Sequence, residues 1–494
     1  SKTPDNVSSK LMVQIPRSLY KEEGYDHREA LFGVPPYGGS IAQNVYYVES
    51  DLCDPNADIS KGFPSGKGKG RDGPFILMAN RGDCTFVKKV RTAQHKGAAG
   101  VIIADTTCLC QDTECMEAQG SQDCEPSEPI MADDGSGADI SIPSFLMFKH
   151  DADKVKQVLK MDKPVQIKMS WSLPTPDDRV EYDLWTVPTE EVSLEFQQNF
   201  KELAVALGKH AYFTPHMYIY DGERSNCKGS DGSNMCYTLC TNNGRYCATD
   251  PDNDLDKGIS GADVVEESLR RLCIWQRYGK DDGIGVHWWD YVTEFHKRCS
   301  KPEYFTNKDC IEDAYNHAKI DGISVEQCMD DSGGVKEDRR NALLDIEVDV
   351  QQKRGVVVLP TAFVNTAAIR GALTVGNVFT AICAGYIADT APSICKQCSF
   401  CLDPAECVRS GGFCKKGPRT GTSGGVSTGT FMFSLLLLVG VFSGAGFWYY
   451  KKSQDDMRDQ VRGILAEYMP LEDQEGGDSP MDFARRAGKV SLIS

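Results

Sequence analysis

The sequence contains few basic residues for its number of acidic ones: 54 Lys and Arg against 71 Asp and Glu, with a net charge of −17 at pH 7. Proteins that bind nucleic acid carry basic patches that neutralise phosphates. A nucleic-acid partner is therefore not expected for this acidic chain. Its 494 residues are enough for roughly two to four domains.

Recognisable catalytic and metal-binding motifs are also missing. None of the eight histidines belongs to an HExxH motif. A GxGxxG pattern at residues 68–73 precedes a predicted strand, whereas a nucleotide-binding loop follows one. A GxSxG pattern at residues 421–425 lies in a Gly/Ser-rich stretch, not between a strand and a helix. The sequence therefore predicts neither an enzyme nor a resident cofactor or metal ion.

Cysteine is abundant up to Cys414 and absent after it. The sequence has 20 cysteines, the first at Cys53, and so many in one chain indicate disulfides formed in an oxidising compartment. A CxxCxxC run at residues 395–401 is a possible metal-ligand set, but that compartment favours disulfides. The candidate disulfide cysteines include Cys53, Cys84, Cys240, Cys247, Cys273 and Cys299.

The N-terminal residues fit a secretory context. An Asn6-Val7-Ser8 sequon predicts glycosylation of Asn6. The sequence starts at Ser1 with neither an initiator Met nor an apolar leader. We expect either that a signal peptide has been removed or that the chain is a fragment.

A long uncharged segment lies near the C-terminus. Residues 430–450 are mostly apolar and are numerous enough to cross a hydrocarbon core about 30 Å thick as a helix. Lys451 and Lys452 follow at once, and positive charge marks the cytosolic flank of a membrane helix. The sequence predicts a single-pass protein with a lumenal cysteine-rich part. Its cytosolic tail, residues 451–494, is expected to be disordered until bound.

Glycines in this segment leave self-association open. Gly440 and Gly444 form a GxxxG pair, a pattern that brings membrane helices together. A homo-oligomer is therefore possible.

The part before the span is predicted to be a multidomain ectodomain of α/β and α+β type. In residues 1–170, apolar runs at 74–80 and 101–105 flank a helical pattern at 85–100, which predicts a βαβ unit. Residues 171–390 form a second region, with helical patterns at 192–209, 260–273 and 287–299 and a strand–proline–strand pattern at 355–365. Residues 391–415 are a short cysteine-rich module, and residues 416–429 a flexible stalk.

Four segments of the first region resemble the protease-associated (PA) domain. They are FGVPPYGGS at 32–40, ANRGDCTF at 79–86, AQHKGAAGVIIAD at 93–105 and IPSFLM at 142–147. The resemblance implies a small α/β module that binds ligands and has no chemistry of its own. PA domains occur in proteases, membrane ubiquitin ligases and sorting receptors, so this resemblance alone leaves the class of protein open.

The second region resembles the central domain of plant vacuolar sorting receptors. The resemblance rests on the stretch from Cys240 to Cys273, on WWDYVTEF at 288–295 and on LPTAFVN at 359–365. It implies a thioredoxin-like domain in a type I membrane receptor. Such receptors bind sorting peptides, often of Asn-Pro-Ile-Arg type, on soluble vacuolar or lysosomal cargo in the Golgi lumen. They then pass to prevacuolar or endosomal compartments.

The same resemblance implies the cargo-binding residues. In the family the arginine of an RGDC loop contacts the peptide, and here that arginine is Arg81. Its guanidinium offers a rigid fork to carbonyls or a carboxylate. The alternative is that Arg81 only braces a strand–helix turn. The implied site residues are Arg81, Gly82, Asp83, Tyr37, Gly38 and Asp134.

The sequence departs from the family pattern in two places. Family members often carry a cysteine pair just after the tryptophan that matches Trp185, and none is present here. A thiol-exchange reaction therefore lacks its nucleophile at this position. The cysteines at 395–414 are fewer than in the family's epidermal-growth-factor-like repeats and lack an acidic lead-in, so calcium binding is not expected. A PA-domain membrane protein of another class, protease-associated or thiol-redox, remains the alternative.

The tail contains a candidate sorting signal. Tyr468-Met469-Pro470-Leu471 is similar to the receptors' own tail motif, in which the tyrosine and the last apolar residue fill two pockets of a clathrin adaptor's medium subunit. Pro470 favours the extended state and lowers the ordering cost of binding. The adaptor-binding residues are thus expected to be Tyr468 and Leu471. A short amphipathic helix on the bilayer is the alternative.

Release of cargo in an acidic compartment is a further hypothesis. Histidine titrates near pH 6.5, so the histidines of this part of the chain are candidate pH switches. Carboxylates of this acidic region are an alternative. The candidate histidines are His27, His95, His210, His216, His287 and His296.

Overall fold

The computed structural model of the protein describes residues 8–65, 73–120, 123–356, 358–387, 389–401, 403–414 and 451–452. Ser1–Lys415 form one compact unit and Lys416–Ser494 a second one. No helix among the described residues is long and apolar enough to cross a membrane. The predicted glycosylation site Asn6, the stalk, the span at 430–450 and the tail residues Tyr468 and Leu471 all lie outside the described residues.

The first part of the chain forms an eight-stranded sheet in the order β1-β8-β3-β5-β6-β7-β2, with β4 paired to β3. Its strands are β1 (Ser9–Ile15), β2 (His27–Glu29), β3 (Ser40–Val48), β4 (Gly62–Phe63), β5 (Phe75–Asn80), β6 (Ala98–Ala104), β7 (Ser144–Met147) and β8 (Gln166–Trp171). Its helices are α1 (Phe86–His95), α2 (Thr113–Gln119) and α3 (Lys149–Lys160). β3, β5, β6 and β7 are parallel neighbours. The predicted βαβ unit is confirmed as β5, α1 and β6.

The apolar runs form β5 and β6 at the centre of this sheet. Both faces of the sheet are covered there, so both faces of these strands are buried. Ile76 and Met78 point into one core, whereas Leu77 and Ala79 point into another on the opposite face. This is the two-residue alternation of a strand, and a strand buried on both sides needs apolar residues at every position.

The second part of the chain forms a four-stranded sheet in the order β10-β9-β14-β15 and a small three-stranded sheet in the order β11-β13-β12. The strands are β9 (Val180–Thr186), β10 (Ala211–Met217), β11 (Tyr220–Asp221), β12 (Cys240–Thr241), β13 (Tyr246–Cys247), β14 (Thr361–Val364) and β15 (Ala367–Ala368). The helices are α4 (Glu191–Leu207), α5 (Gly261–Tyr278), α6 (Val286–Cys299), α7 (Pro302–Phe305), α8 (Lys308–Ala318), α9 (Gly322–Ser332), α10 (Ala342–Arg354), α11 (Val375–Ala384), α12 (Ser393–Cys398) and α13 (Pro404–Arg409). β9 and β10 are parallel, with α4 as the crossover, and β14 pairs antiparallel with β9.

The strand predicted before Pro360 is wrong. α10 ends at Arg354, and Gly355 follows in the left-handed region with φ 61°. The buried Val356 then packs with Trp185 and Phe363 in a small separate core. Val356 is therefore buried outside any strand, and β14 begins only after Pro360.

The cysteine-rich end of this unit is packed onto the second sheet's helices. A disulfide joins Cys383 of α11 to Cys395 of α12, and α13 lies against α4. Cys398 pairs with Cys407 and Cys401 with Cys414, so the CxxCxxC cysteines form three separate disulfides. Ten disulfides in all account for the 20 cysteines of the sequence.

The six cysteines singled out in the sequence all lie in disulfides. Cys53 pairs with Cys84 and Cys240 with Cys247. Cys273 and Cys299 take other partners, Cys328 and Cys310. The last two bonds tie α5 to α9 and α6 to α8.

Candidate functional site

The RGDC loop follows the carboxyl end of β5, where the chain leaves the sheet. The Arg81 amide still donates to the Ala104 carbonyl at 2.8 Å, so the arginine begins as a continuation of the strand. Gly82 and Asp83 then take φ values of 119° and 67°. A side chain at Gly82 would meet nothing within 4 Å, so the backbone conformation, and not lack of space, favours glycine there.

Two covalent and polar ties hold the loop. The Cys53–Cys84 disulfide links it to the segment after β3. The Lys89 side chain, which is fully buried, donates to the Asp51 carbonyl and lies 3.7 Å from the Cys53 sulfur. Burial lowers the pKa of Lys89, and the Asp51 and Asp83 carboxylates oppose that shift. The disulfide and the buried Lys89 thus hold the loop in place at Asp83 and Cys84.

Arg81 is held by two acids from neighbouring segments. Glu125 accepts hydrogen bonds from both terminal nitrogens of the guanidinium, at 2.5 and 3.0 Å. Asp105, whose side chain is fully buried, accepts a third at 3.2 Å. These hydrogen bonds from Arg81 to Glu125 raise the pKa of Arg81 and lower the pKa of Glu125. The Arg81 side chain keeps 25% exposure, so one side of it still faces solvent.

The segment that carries Glu125 is itself fixed by disulfides. The Cys108–Cys115 disulfide ends within α2, and the Cys110–Cys124 disulfide closes a loop that contains the whole of α2. The Glu125 amide donates to the Cys108 carbonyl at 2.8 Å. The carboxylate is therefore presented to Arg81 from a cross-linked support.

Asp134 lies on the other side of the loop. Thr85, the N-cap of α1, accepts from the Lys88 amide and donates to the Asp134 carboxylate at 2.6 Å. Asp134 also accepts from the amide and hydroxyl of Ser136. The hydrogen bonds from Ser136 and Thr85 are the main reason that the pKa of Asp134 is lowered. The predicted neighbours Arg81, Gly82, Asp83 and Asp134 are thus close together.

A groove of about 440 Å³ runs between α1 and the loop containing Asp134. Cys84 and Thr85 form one end of the groove, and Lys88, Arg91 and His95 line it along α1. Arg91 is fixed by Asp139 at 2.7 and 2.8 Å, whereas Lys88 is exposed. The groove, the RGDC loop and Asp134 form one surface, which we call the loop groove.

Tyr37 and Gly38 lie elsewhere. They precede β3, whose amino end is remote from Arg81, because nine residues at about 3.3 Å each separate the two ends of that strand. The Tyr37 hydroxyl accepts from the Arg370 amide at 2.6 Å and donates to the Arg370 carbonyl at 3.0 Å. A side chain at Gly38 would contact Ala384 at 3.1 Å. The structure therefore places this turn against the second domain and not in the loop groove.

Sequence reasoning missed Asp105 and Glu125. Asp105 could have been found, because it ends the apolar run next to the one that Arg81 follows, and parallel strands end at the same edge of a sheet. Glu125 gives no such signal. Its position depends on disulfide pairing, which a single sequence does not determine.

The candidate pH switches have very different surroundings. Burial lowers the pKa of His27 to about 4, since the ring lies between Phe145 and the hydroxyl of Ser9. Burial and the nearby Arg271 lower the pKa of His296 as well. His216 stacks on Trp185 at 4.4 Å and hydrogen-bonds the buried Glu347. His27 therefore does not titrate near pH 6.5, which was the reason for naming it as a candidate pH switch.

The fold and this loop define a class: a PA domain joined to a thioredoxin-like domain. Residues 41–155 match the PA domain family, and residues 180–383 match the family described as the vacuolar sorting receptor thioredoxin-like domain.

The chain is similar to plant vacuolar-sorting receptors over about four fifths of its length. It is 34% identical to vacuolar-sorting receptor 4 of Arabidopsis thaliana over 82% of this chain and 63% of that protein. It is 35% identical to vacuolar-sorting receptor 1 of Pisum sativum over 78% of this chain and 60% of that protein. The resemblance predicted from the sequence is confirmed. The chain spans about six tenths of the length of the curated relatives it matches.

Among solved structures, an aminopeptidase from Aneurinibacillus sp. strain AM-1 aligns with a TM-score of 0.22 and 16% identity, over 33% of this chain and 30% of that one.

Proposed function

We propose that this chain is a type I membrane sorting receptor that binds peptides of soluble vacuolar or lysosomal proteins at the loop groove. The observation that carries the proposal is the combination of a cross-linked RGDC loop, with Arg81 at 25% exposure, and an open groove beside it. A rigid, pre-formed site avoids the ordering cost that a flexible loop would incur on binding.

The loop groove has the chemistry to hold an extended peptide. Arg81 presents a planar donor fork, and the exposed Lys88 adds a second cation along α1. A peptide carboxylate or carbonyl at Arg81 would compete with Glu125, the more exposed of the two acids already bound to it. Cargo binding is thus an exchange of hydrogen-bond partners at one guanidinium.

A direct test is fluorescence anisotropy with the full chain in detergent and a labelled peptide containing Asn-Pro-Ile-Arg. Arg81→Ala is expected to weaken binding about tenfold or more, since a hydrogen bond to a charged group contributes roughly 1.5–3 kcal/mol. Arg277→Ala, on the exposed side of α5, is the matched control. Equal affinity for Arg81→Ala and the unaltered chain would remove Arg81 from the site.

The membrane and tail parts of the proposal rest on sequence. Residues 430–450 would span the bilayer of the Golgi, the trans-Golgi network and prevacuolar membranes, and Tyr468 and Leu471 would engage a clathrin adaptor in the cytosol. Tyr468→Ala is expected to abolish binding of the tail to an adaptor medium subunit. Met469→Ala, at a position between the two anchors, should leave that binding intact. Similar binding by the two variants would contradict the signal.

A further inference from the structure

A second cavity lies where the two folded parts of the first unit meet. Arg28 of β2 and Met131 line one side, and Arg354, Phe363 and Arg370 line the other, around a volume of about 300 Å³. We call it the interdomain cleft. None of its lining residues belongs to the loop groove.

Backbone hydrogen bonds fix the two walls of this cleft to each other. The Gly371 amide donates to the Ala30 carbonyl at 2.9 Å, and the Ala372 amide donates to the Gly33 carbonyl at 2.8 Å. Tyr37 bonds both the amide and the carbonyl of Arg370 through its hydroxyl. The position of the Arg370 backbone is thus set from the PA side, and its side chain is left for another partner.

Arg370 is the cation of the cleft whose guanidinium has no hydrogen-bonded or ion-paired acid among the described residues. Arg28 pairs with Glu128, and Arg354 pairs with Asp183. The guanidinium of Arg370 makes no hydrogen bond or ion pair with any residue that the structure describes. An unpaired guanidinium in a cleft is a strong site for a planar anion.

Like charges face one another across the same space. Burial lowers the pKa of Arg28, and the positive charge of Arg370 lowers it further, against the effect of Asp26. Glu29, which lines the same cleft and interacts electrostatically with Arg370, accepts from the Ser9 hydroxyl at 2.6 Å and from the Trp171 indole at 3.0 Å. Its carboxylate is held by those groups, so the repulsion between Arg28 and Arg370 favours an additional anion between them.

Apolar side chains border the charged part. Phe363 is buried beneath the Arg354 guanidinium, which lies 4.7 Å from the centre of its ring. Ile130 is 56% exposed at the rim. A ligand with an aliphatic group next to its charge would cover Ile130 while the charge reaches Arg370.

We propose that the interdomain cleft binds a peptide carboxylate next to an aliphatic side chain, with Arg370 as its principal ligand. The carboxylate is either the C-terminus of a bound chain or an Asp or Glu side chain within it. This site is separate from the loop groove, and it does not depend on cargo binding there.

The test is isothermal titration of the full chain in detergent with three small probes: N-acetyl-leucyl-valine, its C-terminal amide, and N-acetyl-aspartyl-leucinamide. N-acetyl-leucyl-valine should bind saturably. Its amide should bind at least about tenfold more weakly. Arg370→Gln should lower affinity for the acid about tenfold, since it removes the charge without touching the backbone bonds to Tyr37. Arg277→Gln is the control and should bind like the unaltered chain, and Arg81→Gln is titrated beside it to detect any binding of the acid at the loop groove.

The three probes also identify the source of the carboxylate. Binding of the leucyl-valine acid alone assigns the site to a chain terminus, and binding of both acids assigns it to any peptide carboxylate. The proposal is overturned if Arg370→Gln binds as the unaltered chain does. It also fails if no probe binds up to about 10 mM, where a Kd of ~1 mM would be measurable. A loss confined to Arg81→Gln would place the probe in the loop groove, and the proposed cargo site would then stand without this one.

Discussion

Glu125 holds Arg81 through both of its carboxylate oxygens, at 2.5 and 3.0 Å, and so occupies the guanidinium edge that a cargo peptide would use. Both side chains remain about one quarter exposed. Ion pairs at this exposure contribute roughly 0.2–1 kcal/mol. The contact is therefore weak enough for a peptide to displace and strong enough to keep Arg81 oriented beforehand.

Removing the charge of Glu125 is expected to tighten peptide binding at the loop groove. In Glu125→Gln the competing partner loses its charge, so affinity should rise up to about fivefold, the equivalent of ~1 kcal/mol. Anisotropy with the Asn-Pro-Ile-Arg peptide measures the change. Glu117→Gln, an exposed acid on α2, is the control. Weaker binding by Glu125→Gln would show that Glu125 positions Arg81 more than it competes for it.

Opening the Cys53–Cys84 disulfide should loosen the RGDC loop and the first turn of α1. The bond closes a separation of 31 residues, and loop closure of that size stabilises by about 3–4 kcal/mol in the chain-entropy account. Hydrogen exchange of the Lys88 amide, capped by Thr85, should accelerate in the double Cys→Ser variant. The double variant at Cys401 and Cys414 breaks a bond at the far end of the unit and should leave that amide protected. Unchanged exchange in the first variant would show that polar contacts alone hold the loop.

The sequence was sufficient for the central βαβ unit of the first sheet and insufficient for the acids that surround Arg81. β5, α1 and β6 follow from apolar runs and helical periodicity, because those patterns are local. The candidate site combines Arg81 with Asp105, Glu125 and Asp134, which lie 24 to 53 positions further along the chain. The first of these follows from parallel pairing, but Glu125 depends on two disulfides whose partners no local pattern reveals.

The position of the turn at Tyr37 has a related cause. The family resemblance implied that this turn belongs to the cargo site, yet Tyr37 is 7% exposed because the second domain covers it. Turn chemistry is local, whereas burial of a turn depends on what packs over it. The same contact creates the interdomain cleft, which no segment of sequence signals by itself.

Acidification should destabilise the PA domain through His27. The folded pKa is about 4, below the ordinary 6.5, because burial and the neighbouring Arg28 disfavour the charged ring, against the backbone hydrogen bond to Tyr25 and the nearby Asp26. Above pH 6.5 the ring of His27 is neutral in both states and costs no stability. As the pH falls from 6.5 through 4, the unfolded chain takes up the proton first, so the free energy of unfolding falls by at most about 3 kcal/mol. Glu29, whose pKa is raised by burial, acts in the opposite direction, so the unaltered chain alone does not isolate the effect.

The comparison of the unaltered chain with His27→Gln isolates it. Melting temperature by scanning calorimetry should fall more steeply between pH 7 and about pH 4.5 for the unaltered chain than for the variant. His95→Gln, at the exposed end of α1, is the control. Parallel pH curves for the unaltered chain and His27→Gln would contradict the assignment.

A buried charge cluster in α5 gives the strongest stability prediction. Glu267, which is 1% exposed, accepts hydrogen bonds from Arg270 and Arg271 at 2.8 and 2.9 Å and from the Tyr291 hydroxyl at 3.2 Å. Glu267→Ala would leave two buried guanidinium groups without their shared counter-charge, and breaking a buried pair costs about 3–5 kcal/mol. Native-state hydrogen exchange of the α5 amides should show that loss.

Glu266 provides the matched control on the same helix. It also pairs with Arg270, at 3.2 Å, but its side chain is 44% exposed. Glu266→Ala should therefore cost no more than about 1 kcal/mol. Comparable losses for the two variants would mean that burial does not amplify the pair. A small loss for Glu267→Ala would mean that water reaches the two arginines once the carboxylate is gone. The two terminal nitrogens of Arg271 have no hydrogen-bond partner in the described part of the chain, so water that enters would bind beside Arg271 on this face of α5.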